Sequence, residues 1–191
     1  MQVACLLGSP RPGSNSSAIA KRFCESAAAF GAAIETFALN KLTYRGCQAC
    51  MVCKTKLDHC VLDDDLKAVL EAVRAADLVV LASPVYYGDV SAQLKAFIDR
   101  TYSYLVPDYI TRVDRSRLPG GKRLVMILTQ GNPDETLFGD IFPKYSSFLA
   151  WEGIEESYLI RGCGLQGERA VAQRPELLRE AEALAGKLCQ P

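Results

Sequence analysis

Residues 77–88 read Asp77-Leu78-Val79-Val80-Leu81-Ala82-Ser83-Pro84-Val85-Tyr86-Tyr87-Gly88, an apolar run that ends in a turn holding proline and glycine. An apolar strand without alternation is covered on both faces, as strands of a parallel sheet are. Working outward, apolar runs at 2–7 (QVACLL) and 123–129 (RLVMILT) and the more polar segments 33–39 (AIETFAL) and 154–161 (IEESYLIR) read as the other strands. Helical spacing fills the gaps between them. Ser16 or Ser17 can cap a helix with Ile19, Phe23, Ala27 and Phe30 on one face, and Asp63 to Asp65 can cap another carrying Leu66, Val69, Leu70 and Val73. A third turns Leu94, Phe97 and Ile98 inward, a fourth is expected at 135–150, and the last, at 175–188, carries Leu177, Leu178, Ala181, Leu184 and Leu188. Strand–helix alternation predicts an α/β fold of one domain, 1–191: a doubly wound five-stranded parallel sheet in the order 2-1-3-4-5. Ligands of such sheets sit beyond the carboxyl ends of strands one, three and four.

The composition narrows the function. The 191 residues carry 22 basic and 22 acidic side chains, and no nucleic-acid partner is expected of a chain without basic excess. Its apolar runs fall short of a membrane span, and 3–7 lacks the basic flank of a signal peptide, so a soluble, cytoplasmic protein is expected. His59 is the one histidine, which disfavours Ser-His-Asp and Cys-His catalysis.

After the first strand comes Gly8-Ser9-Pro10-Arg11-Pro12-Gly13-Ser14-Asn15-Ser16-Ser17. A tight turn entering a helix aims free backbone N–H groups at an anion, and Arg11 adds a forked cation. No Walker lysine follows, so nucleoside triphosphate hydrolysis is disfavoured. The string Gly162-Cys163-Gly164-Leu165-Gln166-Gly167 has the spacing of a dinucleotide fingerprint but follows the last strand, and it reads as a glycine-rich turn. Pro84, Val85, Tyr86, Tyr87 and Gly88 after strand three, with Thr129, Gln130 and Gly131 after strand four, offer an apolar wall and free amides to a flat heteroaromatic ring. A ring with one phosphate describes FMN.

Four of the eight cysteines crowd one irregular segment at 40–62: Cys47, Cys50, Cys53 and Cys60. Four thiolates at such compact spacing suit a [4Fe-4S] cluster. A Cys₄ zinc site and a set of bare thiols are the competing readings. Cys5 and Cys24 read as small buried apolar residues, and Cys163 and Cys189 carry no assigned role.

The loop GSPRPGSNSS, the segment SPVYYGDVSAQLKAFIDR and the cysteine block resemble the iron-sulfur flavoprotein family, within the wider NADPH-dependent FMN reductase group of flavodoxin-like proteins. The resemblance covers most of residues 1–131. It implies a flavodoxin-like fold in which Ser9, Arg11, Ser14, Asn15, Ser16 and Ser17 hold the FMN phosphate. Residues 84–88 and 129–131 would frame the isoalloxazine, and Cys47, Cys50, Cys53 and Cys60 would ligate the cluster. It further implies a homo-oligomer, dimer or tetramer, with the cluster of one subunit facing the FMN of a neighbour. Tyr104, Leu105, Val106, Tyr109 and Ile110, in a polar insertion at 103–121, are poor choices for a free loop and suit such a contact.

The expected function is therefore FMN-dependent redox chemistry coupled to a [4Fe-4S] cluster, for electron transfer or reduction of a small acceptor. NAD(P)H, as a transient co-substrate stacked on the flavin, and a ferredoxin-like protein are the candidate electron donors. The alternatives are an NAD(P)H-dependent FMN or quinone reductase without a working cluster and a non-enzymatic thiol or cluster redox sensor. No acid–base residue is nominated, because the cofactors carry the chemistry.

Overall fold

Alternate residues of the 77–82 run feed two different cores. Val79 and Leu81 pack into one with Leu66, Val69, Phe97 and Tyr145; Leu78, Val80 and Ala82 pack into the other with Ile19, Phe23, Ala181 and Ala185. This is the two-faced burial expected of a central parallel strand. It places helices on both sides of the sheet.

The computed structural model describes residues 1–190. Its elements run β1 (Gln2–Leu7), α1 (Asn15–Ala29), β2 (Ala33–Ala38), α2 (Val52–Thr55), α3 (Leu66–Ala75), β3 (Leu78–Tyr86), β4 (Asp89–Val90), α4 (Ala92–Thr101), β5 (Lys122–Thr129), α5 (Ile141–Trp151), β6 (Ile154–Gly162) and α6 (Pro175–Cys189). The five long strands are parallel and stand in the order β2-β1-β3-β5-β6, which is the expected doubly wound, flavodoxin-like order. The sixth strand, β4, is an addition: β3 runs on to Tyr86 and folds back antiparallel, pairing Val85 with Val90 and Tyr86 with Asp89. Register aligns Leu7 with Ala82, Pro84 with Thr129, and Thr129 with Gly162, so four loops leave the sheet at one edge.

Local details depart from the sequence reading. Ser14, not Ser16 or Ser17, caps α1, its Oγ accepting from Ser17 N at 3.2 Å. Gly13 takes φ +65° and ends the loop, so Ser14 is the first residue free to cap, and Ser16 lies buried in the first turn. Phe30 follows the helix end, exposed rather than inward. The Asp63–Asp65 run caps less than expected. Asp64 Oδ1 does accept from Leu66 N at 3.2 Å, but Asp65 accepts from Thr43 N and Asp63 pairs with Lys67. The fourth helix begins at Ile141, not 135, because Asn132 and Asp134 accept from the backbone of Asp134 and Thr136 and hold the chain in turns.

The 103–121 insertion is tied to its own chain. Tyr104 and Leu105 are buried, and the Tyr104 hydroxyl donates to Leu70 O at 2.8 Å. Those two residues therefore lend no support to a subunit contact; Ile110 remains outward. Among the described residues no helix is long and apolar enough to cross a membrane.

Candidate cofactor site and cysteine loop

A recess of about 310 Å³ opens at the carboxyl edge of the sheet. The β1–α1 loop lines it with Ser9, Arg11, Ser14 and Asn15; Pro84, Val85 and Tyr86 follow from β3, and Thr129, Gln130 and Gly131 from β5. These are the residues the sequence singled out from three separate segments. The loop can approach the sheet this closely because residue 8 is glycine. A Cβ on Gly8 would lie 2.9 Å from Leu94 Cβ and from Ser91 Oγ, and Ser91 Oγ donates to Gly8 O at 2.7 Å.

Ser16, Ser17, Tyr87 and Gly88 stand outside this recess. Ser16 is buried, and Ser17 Oγ accepts from Ser14 Oγ at 2.8 Å. Tyr87 and Gly88, at φ +50° and +76°, are the two left-handed central residues of the β3–β4 hairpin, the geometry of a type I′ turn. That turn throws the Tyr87 ring fully into solvent. Below it, Asp89 accepts from the Tyr145 hydroxyl at 2.7 Å and from Lys144 at 2.9 Å. Burial opposes the charge on Asp89, but those donors hold its carboxyl below the usual range. Burial, with Asp89 beside it, pushes the Tyr145 phenol up.

Two expected ligands spend their side chains on the frame. Asn15 Nδ2 donates to Gly167 O at 3.0 Å while its Oδ1 accepts from Val171 N at 3.0 Å. Gln130 donates to Asn132 O and Asp134 O and accepts from Arg161. The backbone N–H groups of Asn15 and Ser16, ahead of the Ser17 N that Ser14 caps, remain to face an anion.

The sequence reading missed a fourth wall: Leu165, Gln166, Gly167 and Glu168, from the loop after β6. The signal was the glycine string at 162–167. A Cβ on Gly162 would stand 2.6 Å from Leu165 Cδ1, and Gly164 and Gly167 adopt positive φ, so these glycines fold the loop over the recess.

Cys47, Cys50, Cys53 and Cys60 border a second recess together with Arg100 and Tyr102. Ala49 and Met51 take left-handed φ values of +50° and +58°, which curl the chain into the short helix α2. All eight cysteines are free thiols, and among the described residues no three His, Cys, Asp or Glu side chains converge closely enough to hold a metal ion. His59 is exposed and bonds Asp58.

Two arginines from elsewhere in the chain, and Lys54 within the segment, hold this loop. Arg100 donates to Arg45 O at 2.9 Å, to Asp64 at 2.8 Å and to Leu62 O at 3.4 Å, pinning both ends of the cysteine segment. Arg117 donates to Cys53 O at 2.9 Å and to Ser103 O and Leu105 O, and Lys54 lies 4.0 Å over the Tyr102 ring. Burial pushes the Cys53 thiol up and the Lys54 ammonium down. Four sulfur donors beside three cations fit a polyanionic iron-sulfur cluster in donor chemistry and charge.

A further recess of about 530 Å³ runs from Cys47 to Asp89 along α4 and α5. Glu152 borders it and is 6% exposed; burial pushes its carboxyl up to about 8. Oε1 accepts from the Thr101 hydroxyl at 2.7 Å, and Oε2 has no partner among the described residues.

The family described as NADPH-dependent FMN reductase matches residues 1–134. An iron-sulfur flavoprotein of Methanosarcina thermophila is 39% identical over 101 residues, 53% of this chain and 52% of that one. An FMN-dependent NADH:quinone oxidoreductase of Methylorubrum extorquens is 38% identical over 65 residues, 34% of this chain and 32% of that one. The chain spans about half the length of the iron-sulfur flavoprotein and a third of the oxidoreductase. In fold it is similar to an NAD(P)H:quinone oxidoreductase from Methanothermobacter marburgensis, with TM-score 0.75, 20% identity and coverage of 98% and 96% of the two chains. It is also similar to an FMN-dependent NADH-azoreductase from Bacillus anthracis, with TM-score 0.74, 15% identity and full coverage of both. At such identities these two likenesses speak to the fold alone.

Proposed function

This chain belongs to the NADPH-dependent FMN reductase family, and from that premise we propose that it is an FMN-dependent oxidoreductase coupling the flavin to a [4Fe-4S] cluster. FMN exchanges one or two electrons and such a cluster exchanges one, so the pair links two-electron donors to one-electron acceptors. The β1–α1 loop holds the phosphate through Arg11, Ser9, Ser14 and backbone N–H groups. Pro84, Val85, Tyr86 and the 129–131 turn flank the ring. Cys47, Cys50, Cys53 and Cys60 hold the cluster, with Arg100, Arg117 and Lys54 offsetting its charge.

The observation that carries this reading is that four thiols from a fourteen-residue stretch border one recess with Arg100, while Arg117 holds the Cys53 carbonyl. NAD(P)H or a ferredoxin-like protein supplies the electrons, and the reading includes a homo-oligomer. The exposed Phe148, Trp151 and Ile110 offer it an apolar contact surface.

The spacing of the thiols in the structure favours a second reading, an NAD(P)H-dependent quinone or FMN reductase without a cluster, since no three of them converge. One sample separates the two: protein purified without oxygen, with its absorbance spectrum and assays of iron, sulfide and flavin. Flavin peaks over a broad band near about 400 nm, with about four iron and four sulfide per chain, support the cluster. Flavin alone after anaerobic reconstitution leaves the simple reductase. A chain without flavin in either preparation overturns both.

A further inference from the structure

Resting on the FMN reading, we propose that Arg169 is a second cationic clamp on the cofactor's phosphomonoester, carried over the phosphate loop by residues 167–171. Leaving aside neighbours in the chain, the Arg169 Nε is the one atom within 4 Å of where a Cβ on Gly13 would stand, at 3.7 Å. The guanidinium therefore lies over the turn that opens α1. Like the Arg11 side chain, the guanidinium donates no hydrogen bond and forms no ion pair among the described residues, and both residues bond only through the backbone.

The segment bearing Arg169 is built to hold it there. Arg169 takes φ +58°, a left-handed conformation that side-chain-bearing residues rarely adopt. Asn15 anchors the chain on either side, donating to Gly167 O and accepting from Val171 N, both at 3.0 Å. Asn15 is itself 8% exposed, in the first turn of α1. It thus acts as a positioning residue that fixes the 167–171 arch to the phosphate loop.

Charge calls for such a cation. Side chains lining the recess bring one positive group, Arg11, and one negative group, Glu168, which cancel. A phosphomonoester carries about −1.5 to −2 at neutral pH. Arg169 supplies the missing positive charge from a part of the chain beyond the family match at 1–134.

The test compares FMN with riboflavin, which lacks the phosphate, by fluorescence titration of flavin-free full-length protein. Arg169→Gly suits the left-handed backbone and removes the guanidinium. It should weaken FMN about 10- to 100-fold, as loss of a charged hydrogen bond does, and leave riboflavin unchanged. Arg169→Lys should restore part of the loss. Asn15→Ala should produce the same FMN-selective loss, and the double variant should lose little more than the larger single one. Equal weakening of both flavins, or of neither, overturns the clamp. So does an unchanged FMN affinity with a KM raised for NADPH and not NADH, which would place the guanidinium on the donor's phosphate. Additive losses overturn the positioning role of Asn15. Wild-type protein that binds neither flavin overturns the cofactor reading itself.

Discussion

Arg100 donates through Nη1 to Asp64 Oδ2 at 2.8 Å from a side chain with no solvent exposure. The pair joins α4 to the far end of the cysteine loop, and the same guanidinium holds Arg45 O at the near end. Removing one partner of a buried pair leaves an uncompensated charge. Asp64→Asn should cost about 3–5 kcal/mol at neutral pH, read from urea unfolding. Burial opposes the Asp64 charge, but the hydrogen bond and charge of Arg100, together with the backbone N–H groups of Arg45 and Leu66, outweigh it and hold the carboxyl below its ordinary value. A lowered folded pKa stabilises above the unfolded pKa and fails as pH falls through the folded one. The gap between wild type and variant should therefore narrow below about pH 4. A constant gap into acid would refute the assignment.

Glu152 has the opposite sign. Its carboxyl is pushed up to about 8 by burial, so it keeps its proton in the folded chain while the unfolded chain has lost it. Stability from this group is complete below the unfolded pKa, near about 4.3, and drains away as pH rises to about 8. Glu152→Gln should flatten that decline and make the variant the more stable protein at pH 8.5. Urea midpoints at pH 5.5 and 8.5 check it; parallel midpoints at both would sink the idea.

In the cluster-loaded protein, Cys50→Ser and Cys60→Ser should each strip iron and sulfide from anaerobic preparations and leave the flavin-to-chain ratio unchanged. The two recesses share no lining residue, which is why the losses should separate. Anaerobic reconstitution should also hide Cys47 and Cys50, both exposed in the structure, from a thiol reagent. Equal labelling before and after reconstitution would count against ligation.

Gly8→Ala should destabilise by about 1–3 kcal/mol and lower flavin content, because its Cβ meets Leu94, Ser91 and the Ala82 carbonyl within 3.1 Å. Gly120→Ala, with nothing within 4 Å and no positive φ, is the matched control and should change neither. Chemical denaturation and flavin absorbance read both effects.

The sheet was legible because burial on two faces writes itself into sequence: Leu78 to Ala82 admit no polar side chain. The loops at its edge were legible for the same topological reason, since three strand ends converge wherever the order is 2-1-3. Capping was not. Ser14, Ser16 and Ser17 carry the same hydroxyl, and only the left-handed turn at Gly13 decides which one serves. Asn15 looked like a ligand because its amide suits phosphate, but long-range partners at Gly167 and Val171 claim both of its polar atoms. The wall at 165–168 was missed because a glycine string announces a bend without saying what the bend covers. Tyr104 and Leu105 looked outward-facing because their partners lie far off in the chain, as with the Tyr104 bond to Leu70.

The cysteine segment has little regular structure beyond the four-residue α2, and its anchors come from α4 and from residue 117. It is therefore not a portable cassette. Copying residues 45–62 onto another sheet of this order would transfer the thiols and leave behind the Arg100 and Arg117 that shape them. A graft that keeps its form must move those two arginines, and Asp64 with them.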